Sequence, residues 1–383
     1  MEENGNKLVI YLCMIGVVFL SSFRSPDPEL ALDYSVPSYI QFLQTLSVPI
    51  VLLLMLLSIG FMFRVPTEME KEGGKSYLPY FFIFQVIILL TEFSRQNNAT
   101  EFLIRLLFGI ITFIYFLKVV ANLPIYRAEG FSVLAAFFWG SFFFIALNVL
   151  IHVSGIGHVI WKGRLFGVTA HPNFMGICAS IETILAFVFL WKERKWKRRS
   201  IFLIAFAVGI YACLLTMSRT SMLGVATGVF IFFMVGMKNS SFKPFFMILL
   251  ALVSMLLVAN LTMQSLDYAD RGNTREQTWR ELYEDASELP LIGKGRSGAS
   301  TNAYMFAIVA GGVLGAAFFF RSLFGVMASA FTDLLNTHNF KRLAFLALLT
   351  LILVTSVFEG YLLDTVSIPS FTYWMLLAVT RQL

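Results

Sequence analysis

Long apolar runs separated by short polar segments follow one another along almost the whole chain. A helix needs about 20 apolar residues to cross the hydrocarbon core of a bilayer, and most of these runs approach that length. The runs are continuous rather than alternating, which favours helices over the strands of a membrane barrel. The pattern predicts about twelve membrane-spanning helices, over 7–23, 37–63, 77–93, 100–123, 131–151, 173–191, 201–217, 222–237, 244–262, 303–323, 344–360 and 366–381.

Composition supports this interpretation. Hydrophobic residues make up 58% of the 383 residues and charged residues only 14%, whereas soluble proteins contain roughly 25% charged residues. A core of this size cannot bury so much apolar surface, so much of it must face lipid. We therefore expect an all-α polytopic integral membrane protein, with one membrane domain over 1–383. A large extracytoplasmic loop, 263–302, precedes the tenth span and contains an amphipathic helix.

The distribution of lysine and arginine predicts the orientation. The run 192–199 contains six basic residues and is the strongest cytoplasmic signal in the chain. Placing it inside puts both termini in the cytoplasm and segment 263–302 outside. The net charge of +6 then reflects topology and attraction to anionic lipid, so we expect the lipid bilayer as a partner and no nucleic acid.

Arginine dominates the basic residues of the segments predicted to lie outside. Arginine binds phosphate and carboxylate through two parallel hydrogen bonds, which lysine cannot do. The bias predicts an anionic ligand on the outer face, although chance is the competing explanation. The outer set is Arg24, Arg95, Arg164, Arg219, Arg271, Arg275, Arg280 and Arg296, with only Lys162 and Lys294 beside them.

The first stretch that could carry chemistry is 161–173, which leads into the sixth span. Pro172 suits the first turn of a helix. Arg164 and His171 would then lie at the membrane surface beside a helix N-terminus, which favours an anion. The alternative is an ordinary loop anchored at the interface by Trp161.

The second stretch is 216–221, a short Ser-Arg-Thr-Ser connection between the seventh and eighth spans. Its Arg219 lies near membrane depth, and the neighbouring sequence offers no carboxylate. A charge at that depth is costly and is by default a functional candidate. The alternative is that Arg219 extends to the lipid headgroups.

The third stretch is the loop 263–302. Apolar residues recur at helical spacing over 274–289, which predicts an amphipathic helix on the membrane surface. Arg280 has Glu276 four positions before it and Glu284 four positions after it, a spacing typical of surface salt bridges.

Other arginines of this loop differ in their neighbours. Arg271 has Asp267 four positions before it, whereas Arg275 has no acidic residue three or four positions away. The spacing therefore selects Arg275 as the arginine that binds an anion. Segment 293–298 is glycine-rich but lacks Walker A spacing, so we interpret it as a turn that offers backbone N–H groups to a phosphate.

Several short motifs occur in a fixed order between residues 160 and 320. They comprise Arg164, Gly167, Pro172, Asn173 and Gly176; Ser218-Arg219-Thr220; Arg275, Trp279, Pro290, Leu291, Gly293 and Gly295; Asn302 and Tyr304; and Gly312 and Gly315. This order resembles the O-antigen ligase and Wzy-type polysaccharide polymerase family of bacterial inner-membrane glycosyltransferases. Outside this segment the likeness is limited to hydropathy and the number of spans.

The resemblance implies a glycosyltransferase of the bacterial inner membrane that uses undecaprenyl-pyrophosphate-linked oligosaccharides as donor and acceptor. It implies no cofactor, nucleotide or metal ion, and a chain-length regulator is a further expected partner. Arg219 and Arg275 would hold the pyrophosphate, and we place His171 beside them as a catalytic residue. Arg164, Arg271, Arg296, Asn302 and Tyr304 complete the expected substrate site.

One position departs from the family. Ligases carry a His-Asn pair at the end of the large loop, but this chain has Thr301 before Asn302. Thr301 cannot serve as the base, so we favour a polymerase over a ligase. A twelve-span transporter or lipid-linked-sugar flippase is the alternative from another class, but the predicted spans are nearly free of charge away from their ends. The general base stays open among His171, Glu281, Glu359 and Asp364.

Overall fold

The computed structural model describes residues 2–28, 30–31, 34–65, 76–127, 131–236, 274–288, 290–296, 301–331 and 340–382. Of the described residues, 78% are helical. Among them, eight helices are long and apolar enough to cross a membrane. This agrees with the predicted class of an all-α polytopic membrane protein, while the count of twelve spans stays a prediction. Every predicted span overlaps an observed helix except 244–262, which lies outside the described residues together with 263–273 of the large loop.

The elements follow the predicted order closely. A two-stranded hairpin, β1 (Ile160–Trp161) and β2 (Arg164–Leu165), connects the fifth and sixth helices. The helices are α1 (Glu2–Leu20), α2 (Ser38–Met62), α3 (Leu78–Gln96), α4 (Ala99–Lys118), α5 (Val133–Ser154), α6 (Pro172–Lys192), α7 (Trp196–Thr216), α8 (Arg219–Gly236), α9 (Thr274–Ser287), α10 (Ala303–Phe331), α11 (Phe340–Ser356) and α12 (Ile368–Val379).

Polar side chains cap several of these helices. The side chains of Asn98, Ser132 and Ser367 accept hydrogen bonds from backbone N–H groups in the first turns of α4, α5 and α12. Such caps satisfy donors that have no partner within the helix. Pro172 occupies the first turn of α6, as predicted. Gly155 ends α5 with φ +67°, a conformation that glycine adopts at little cost.

The helices divide into inner and outer ones. Over an 18-residue apolar stretch of α6, 83% of the residues are buried, and every residue of α12 is buried. Over the corresponding stretches of α2 and α7 only 28% of the residues are buried, so these two helices present most of their apolar surface outward. A helix that is apolar all round belongs in a protein core or in lipid. Because α12 is short and enclosed, it acts as a core helix of the bundle.

Helix α10 is interrupted. Gly312 has φ +64° and ψ −172°, which breaks the hydrogen-bond ladder of the helix. Segment 290–296 fills the break: Lys294 N donates to Val309 O at 2.7 Å, and Val313 N donates to Pro290 O at 3.1 Å. Irregular backbone at membrane depth is tolerated when protein groups satisfy it in this way. The loop that follows α9 is thereby attached to α10.

The chain runs back and forth between two ends of the bundle. We call one end the hairpin face; it comprises 21–28, 155–171, 217–218, 290–296 and 357–367. Hydrogen bonds link its segments, such as Arg24 N to Val168 O at 3.0 Å. The termini face comprises 119–127, 193–195 and 380–382, where Gln382 donates to the carbonyl oxygens of Ala121 and Leu123 at 3.0 and 2.8 Å.

Candidate functional site

The hairpin positions the first predicted site residue. Lys162 and Gly163, at its turn, have φ of +50° and +75°, the geometry of a tight two-residue connection. This turn pairs Trp161 with Arg164 and directs Arg164 into the protein. Only 9% of Arg164 is exposed, so its charge must be balanced by protein groups or by a ligand.

A chain of hydrogen bonds leads away from Arg164. Its Nε donates to the carbonyl oxygen of Thr216 at 2.9 Å, and its Nη2 donates to Asn173 Oδ1 at 2.5 Å. Asn173 Nδ2 in turn donates to Glu359 Oε1 at 2.9 Å. The chain therefore joins the end of α7, the start of α6 and the segment after α11. In this arrangement Arg164 holds the site together rather than pointing all its donors at a ligand.

His171 is the N-cap of α6. Its Nδ1 accepts a hydrogen bond from Asn173 N at 3.2 Å. In a neutral imidazole one nitrogen accepts and the other carries the proton, so this contact leaves the proton on Nε2. In that neutral form Nε2 is a donor rather than a base. A donor at a helix N-terminus suits contact with a phosphate oxygen.

The Ser-Arg-Thr motif forms a sharp junction between α7 and α8. Met217 has φ +49°, and Ser218 Oγ accepts a hydrogen bond from Ser221 Oγ at 2.8 Å. The junction presses against Gly176 of α6, where a Cβ atom would lie 2.2 Å from Ser221 Oγ. Arg219 is the first residue of α8 and is exposed. Its charge adds to the positive end of the helix dipole.

Helix α9 covers most of the segment 274–289 that the sequence predicts to be helical. Leu282 is buried, and the rings of Trp279 and Phe358 stack with centroids 6.4 Å apart, next to Glu359. The predicted pairing of Arg280 with Glu276 is confirmed at 3.5 Å. Two other predicted site residues differ: Arg275 lies in the first turn of α9, whereas Arg271 lies outside the described residues.

Arg296 contacts α3. Its backbone N donates to Glu92 Oε1 at 2.9 Å, and its guanidinium donates to Gln85. Burial lowers the pKa of Arg296, while the charges of Glu92 and Asp364 raise it. Glu92 also pairs with Arg105 at 2.9 Å. The predicted substrate-binding residue Arg296 is thus joined to an ion network that sequence spacing does not show.

A second ion pair lies close to this network. Arg24 Nη2 is 3.1 Å from Asp364 Oδ2, and its guanidinium lies 4.7 Å from the ring centroid of Phe174. Burial raises the pKa of Asp364, and the charges of Arg24 and Arg296 oppose that rise. Arg24, Phe174 and Asp364 therefore connect the start of the chain, the first turn of α6 and the segment before α12 at one point.

Asn302 and Tyr304 have contacts that explain their positions. Asn302 is 7% exposed, and its Oδ1 accepts hydrogen bonds from Tyr304 N at 3.0 Å and Met305 N at 3.1 Å, which caps α10. The hydroxyl of Tyr304 donates to Leu353 O at 2.8 Å. Both residues secure the start of α10, and among the described residues no hydrogen bond uses Nδ2 of Asn302.

The structure brings most of the predicted site residues to one end of the bundle. Arg164, His171 and Arg219 lie at the first turns of α6 and α8, and Trp279 of α9 contacts Phe358 just after the end of α11. Sequence reasoning missed the roles of Arg24, Glu92 and Asn148 in this assembly. Asn148 Oδ1 accepts a hydrogen bond from Val168 N at 2.7 Å and supports the loop that carries His171. The sequence did show Asn148 as a polar residue inside an apolar span, which could have identified it.

Glu182 is a further residue that sequence reasoning passed over. It lies at the middle of α6, is completely buried, and neither carboxylate oxygen has a hydrogen-bond partner among the described residues. Gly209 of α7 makes room for it, because a Cβ atom there would lie 2.0 Å from Glu182 Oε2. Ionisable residues within a membrane span are costly and are often functional. The prediction that the spans are nearly free of ionisable residues away from their ends is therefore wrong for α6.

Within the described ranges, no three His, Cys, Asp or Glu side chains group together in the way that a metal ion requires. No protein-family model matches the chain, and no curated protein matches it significantly.

Proposed function

We propose that the protein is a polysaccharide polymerase of the bacterial inner membrane. It transfers a growing glycan from undecaprenyl pyrophosphate to the next lipid-linked repeat unit on the outer face. The hairpin face would be that outer face, and both termini would be cytoplasmic. The proposal rests on the motif order in the sequence and on the packing of those motifs in space.

One observation carries the proposal. The hydrogen-bond chain from Thr216 through Arg164 and Asn173 to Glu359 joins the motif of Arg164 and Asn173 to the stretch 216–221 and to a carboxylate. Trp279, which belongs to another motif, stacks on Phe358, the residue before Glu359. Residues more than 100 positions apart in the chain thus surround one site, which supports a shared chemical role.

In the proposed transfer every bond, proton and electron pair is accounted for by substrates and side chains, without a metal ion. The bond between the anomeric carbon and the pyrophosphate oxygen breaks, and the acceptor hydroxyl oxygen forms a new bond to that carbon. The hydroxyl proton passes to a base, and undecaprenyl pyrophosphate leaves with the bonding electrons. Arg219 and Arg275 would stabilise the negative charge that develops on the leaving group, as oxyanion-hole donors do.

Glu359 fits the role of the base better than the other predicted candidates. It is 6% exposed and is oriented by Asn173. A neutral His171 carries its proton on Nε2, Glu281 is exposed and accepts from Gln277, and Asp364 is paired with Arg24. A base must be oriented toward the proton it takes, usually by a third group, and Asn173 performs that function here.

A gene deletion tests the proposal directly. Deletion should leave single repeat units in the surface glycan when it is separated on a gel. Full-length chains that stay unattached would indicate a ligase instead. Loss of all intermediates on the outer face would indicate a flippase. Complementation with Glu359→Gln should give the deletion pattern if Glu359 is the base.

Two observations favour a second candidate function, a lipid-linked-sugar flippase or transporter. Transporters commonly contain interrupted helices and ionisable residues at the membrane midplane. The break at Gly312 in α10 and the buried Glu182 in α6 both fit that description. The polymerase remains our first proposal because the motif residues gather at one end of the bundle rather than at its centre.

A further inference from the structure

A polar cavity lies at the termini face, at the opposite end of the bundle from the hairpin face. It has a volume of about 330 Å³, within the ~300–1,000 Å³ range of ordinary ligand pockets. It lies between the start of α5, the end of α6 and the start of α7, at the level of the basic run 192–199. Its walls include Tyr11, Tyr126, Arg127, Trp139, Glu193 and Arg198.

The charged groups of this cavity favour an anion. Two guanidinium groups, from Arg127 and Arg198, line it together with one carboxylate, from Glu193. Glu193 Oε1 already accepts hydrogen bonds from the backbone N–H groups of Arg194 and Lys195 at 3.0 and 2.9 Å. With one carboxylate against two guanidinium groups, the charged side chains that line the cavity sum to +1. Two guanidinium groups suit a phosphate, which accepts paired hydrogen bonds.

The remaining walls are aromatic and fixed. The rings of Phe189 and Phe202 stack with centroids 5.2 Å apart, and Tyr126 lies 6.0 Å from Phe189. Burial, reinforced by the charge of Glu193, raises the pKa of Tyr126, so its hydroxyl stays protonated and can donate. Aromatic residues with one polar edge are typical of the boundary between lipid and water.

The cavity continues onto lipid-facing surface. Ile201 lines it and is 44% exposed, and Ile204, one turn along the same side of α7, is 60% exposed. A ligand with a charged headgroup and apolar chains could therefore occupy the cavity and this side of α7 together. A free anion would use only the polar part.

We propose that this cavity binds the headgroup of an anionic phospholipid. The guanidinium groups of Arg127 and Arg198 hold its phosphate, the aromatic walls enclose the headgroup, and the acyl chains lie along Ile201 and Ile204. Basic pockets between helices at this level of a membrane protein are suited to such lipids. The inference does not depend on the polymerase proposal, because the cavity lies at the opposite end of the bundle.

Quenching of the fluorescence of Trp139 by brominated lipids tests the proposal. Delipidated protein in neutral detergent is titrated with brominated phosphatidylglycerol and, separately, with brominated phosphatidylcholine. We expect the anionic lipid to quench at about tenfold lower concentration, and Trp139→Phe to abolish the difference between the lipids. Equal quenching by both lipids, or a preference that survives Trp139→Phe, would overturn the proposal.

Matched variants separate a built site from general attraction. Arg127→Ala/Arg198→Ala should weaken phosphatidylglycerol binding by about tenfold or more. The control Lys197→Ala/Arg199→Ala removes two charges from the same basic run but none from the cavity walls, and it should change binding by less than about threefold. Equal losses in both variants would mean that the surface charge alone attracts the lipid. If the first variant does not fold, the result with Trp139→Phe still decides.

Competition distinguishes a lipid from a free phosphate compound. Inorganic phosphate and glycerol 3-phosphate are added at millimolar concentration to the complex with brominated lipid. We expect neither to restore the fluorescence of Trp139, because neither can use the apolar side of α7. Recovery of fluorescence at concentrations comparable with the lipid would assign the cavity to a soluble anion and overturn the proposal.

Discussion

Lysine and arginine residues have different surroundings at the two faces of the bundle. At the hairpin face Arg164 is 9% exposed, and it donates hydrogen bonds to Thr216 and Asn173. At the termini face Lys197 and Arg199, like most of the basic run around them, project into solvent. A buried charge requires partners that fix its geometry, whereas an exposed charge acts mainly through its field. Charge count alone therefore cannot identify a site, but burial combined with hydrogen bonding can.

The two faces also differ in the side-chain contacts that hold them together. The hairpin face is joined by side-chain contacts between segments far apart in the chain, such as Asn173 with Glu359 and Arg24 with Asp364. The termini face also has a long-range side-chain contact, from Gln382 to Ala121 and Leu123, but that side chain is neutral. Its charged Glu193 accepts hydrogen bonds from its own neighbours, Arg194 and Lys195. Long-range polar contacts specify one arrangement of helices, and a reaction site needs such an arrangement.

The largest expected effect comes from breaking the buried network. Arg164→Ala should lower the free energy of unfolding by about 2–6 kcal/mol, because it removes the donor to two buried acceptors, Thr216 O and Asn173 Oδ1, each worth about 1–3 kcal/mol. The matched change at the termini face, Arg199→Ala, should alter it by no more than about 0.5 kcal/mol. Reversible unfolding in mixed detergent measures both. Similar effects at the two positions would remove the distinction between the faces.

The next effect concerns activity and follows from the proposed function. Arg219→Ala and Arg275→Ala should each slow glycan polymerisation by roughly 10²–10³, or about 2.7–4 kcal/mol, the scale of an oxyanion-hole donor. Lysine should rescue only in part, because it keeps the charge and loses the bidentate geometry. The measurement is glycan length and rate in membranes with equal amounts of each variant.

Arg280→Ala is the control for that experiment. Arg280 lies on the same helix as Arg275, is largely exposed and pairs with Glu276 at 3.5 Å. Exposed pairs of this kind contribute about 0–1 kcal/mol, so the variant should polymerise within a few fold of wild type. Normal activity in both test variants would contradict the assignment of the site. A selective loss in Arg280→Ala would mean that the opposite side of α9 faces the substrate.

The sequence was sufficient for what depends on short-range pattern. Helix positions follow from runs of apolar residues, and the pairing of Arg280 with Glu276 follows from helical spacing. The partners of Arg164 could not be predicted, because Thr216 and Glu359 lie 52 and 195 positions further along the chain and meet it only after the helices pack. Glu182 was visible in the sequence, but one acidic residue hardly changes the mean hydropathy of a span.

The break in α10 shows the same limit. Gly312 was recognised as part of a motif, but its conformation depends on segment 290–296, which inserts beside it. A Cβ atom at Gly312 would lie 2.6 Å from Gly293 N. Any residue other than glycine would also have to adopt the positive φ of this position, which a side chain disfavours. A pair of glycines so far apart carries no local signal that they will approach each other.

Gly312→Ala should therefore cost about 1–3 kcal/mol of stability, since it combines overpacking with backbone strain. The control is Gly60→Ala in α2, where a Cβ atom meets nothing within 4 Å. That change should be neutral or should stabilise by about 0.5–1 kcal/mol, because alanine favours a helix. Thermal unfolding of the two variants provides the measurement. Equal stability would show that segment 290–296 does not depend on the break.

The smallest expected effect distinguishes a structural role from a binding role at Asn302. Asn302→Ala removes the cap of α10 and should cost about 1 kcal/mol of stability. Asn302→Asp keeps an oxygen that can accept from Tyr304 N and Met305 N, so it should stay within about 0.5 kcal/mol of wild type. Both hydrogen bonds use Oδ1; the aspartate variant loses the side-chain N–H groups and gains a negative charge, which suits a helix N-terminus. We expect it to retain polymerisation within a few fold, as a cap would. A variant that unfolds like wild type but polymerises at least tenfold more slowly would show instead that the Asn302 side chain faces the anionic substrate.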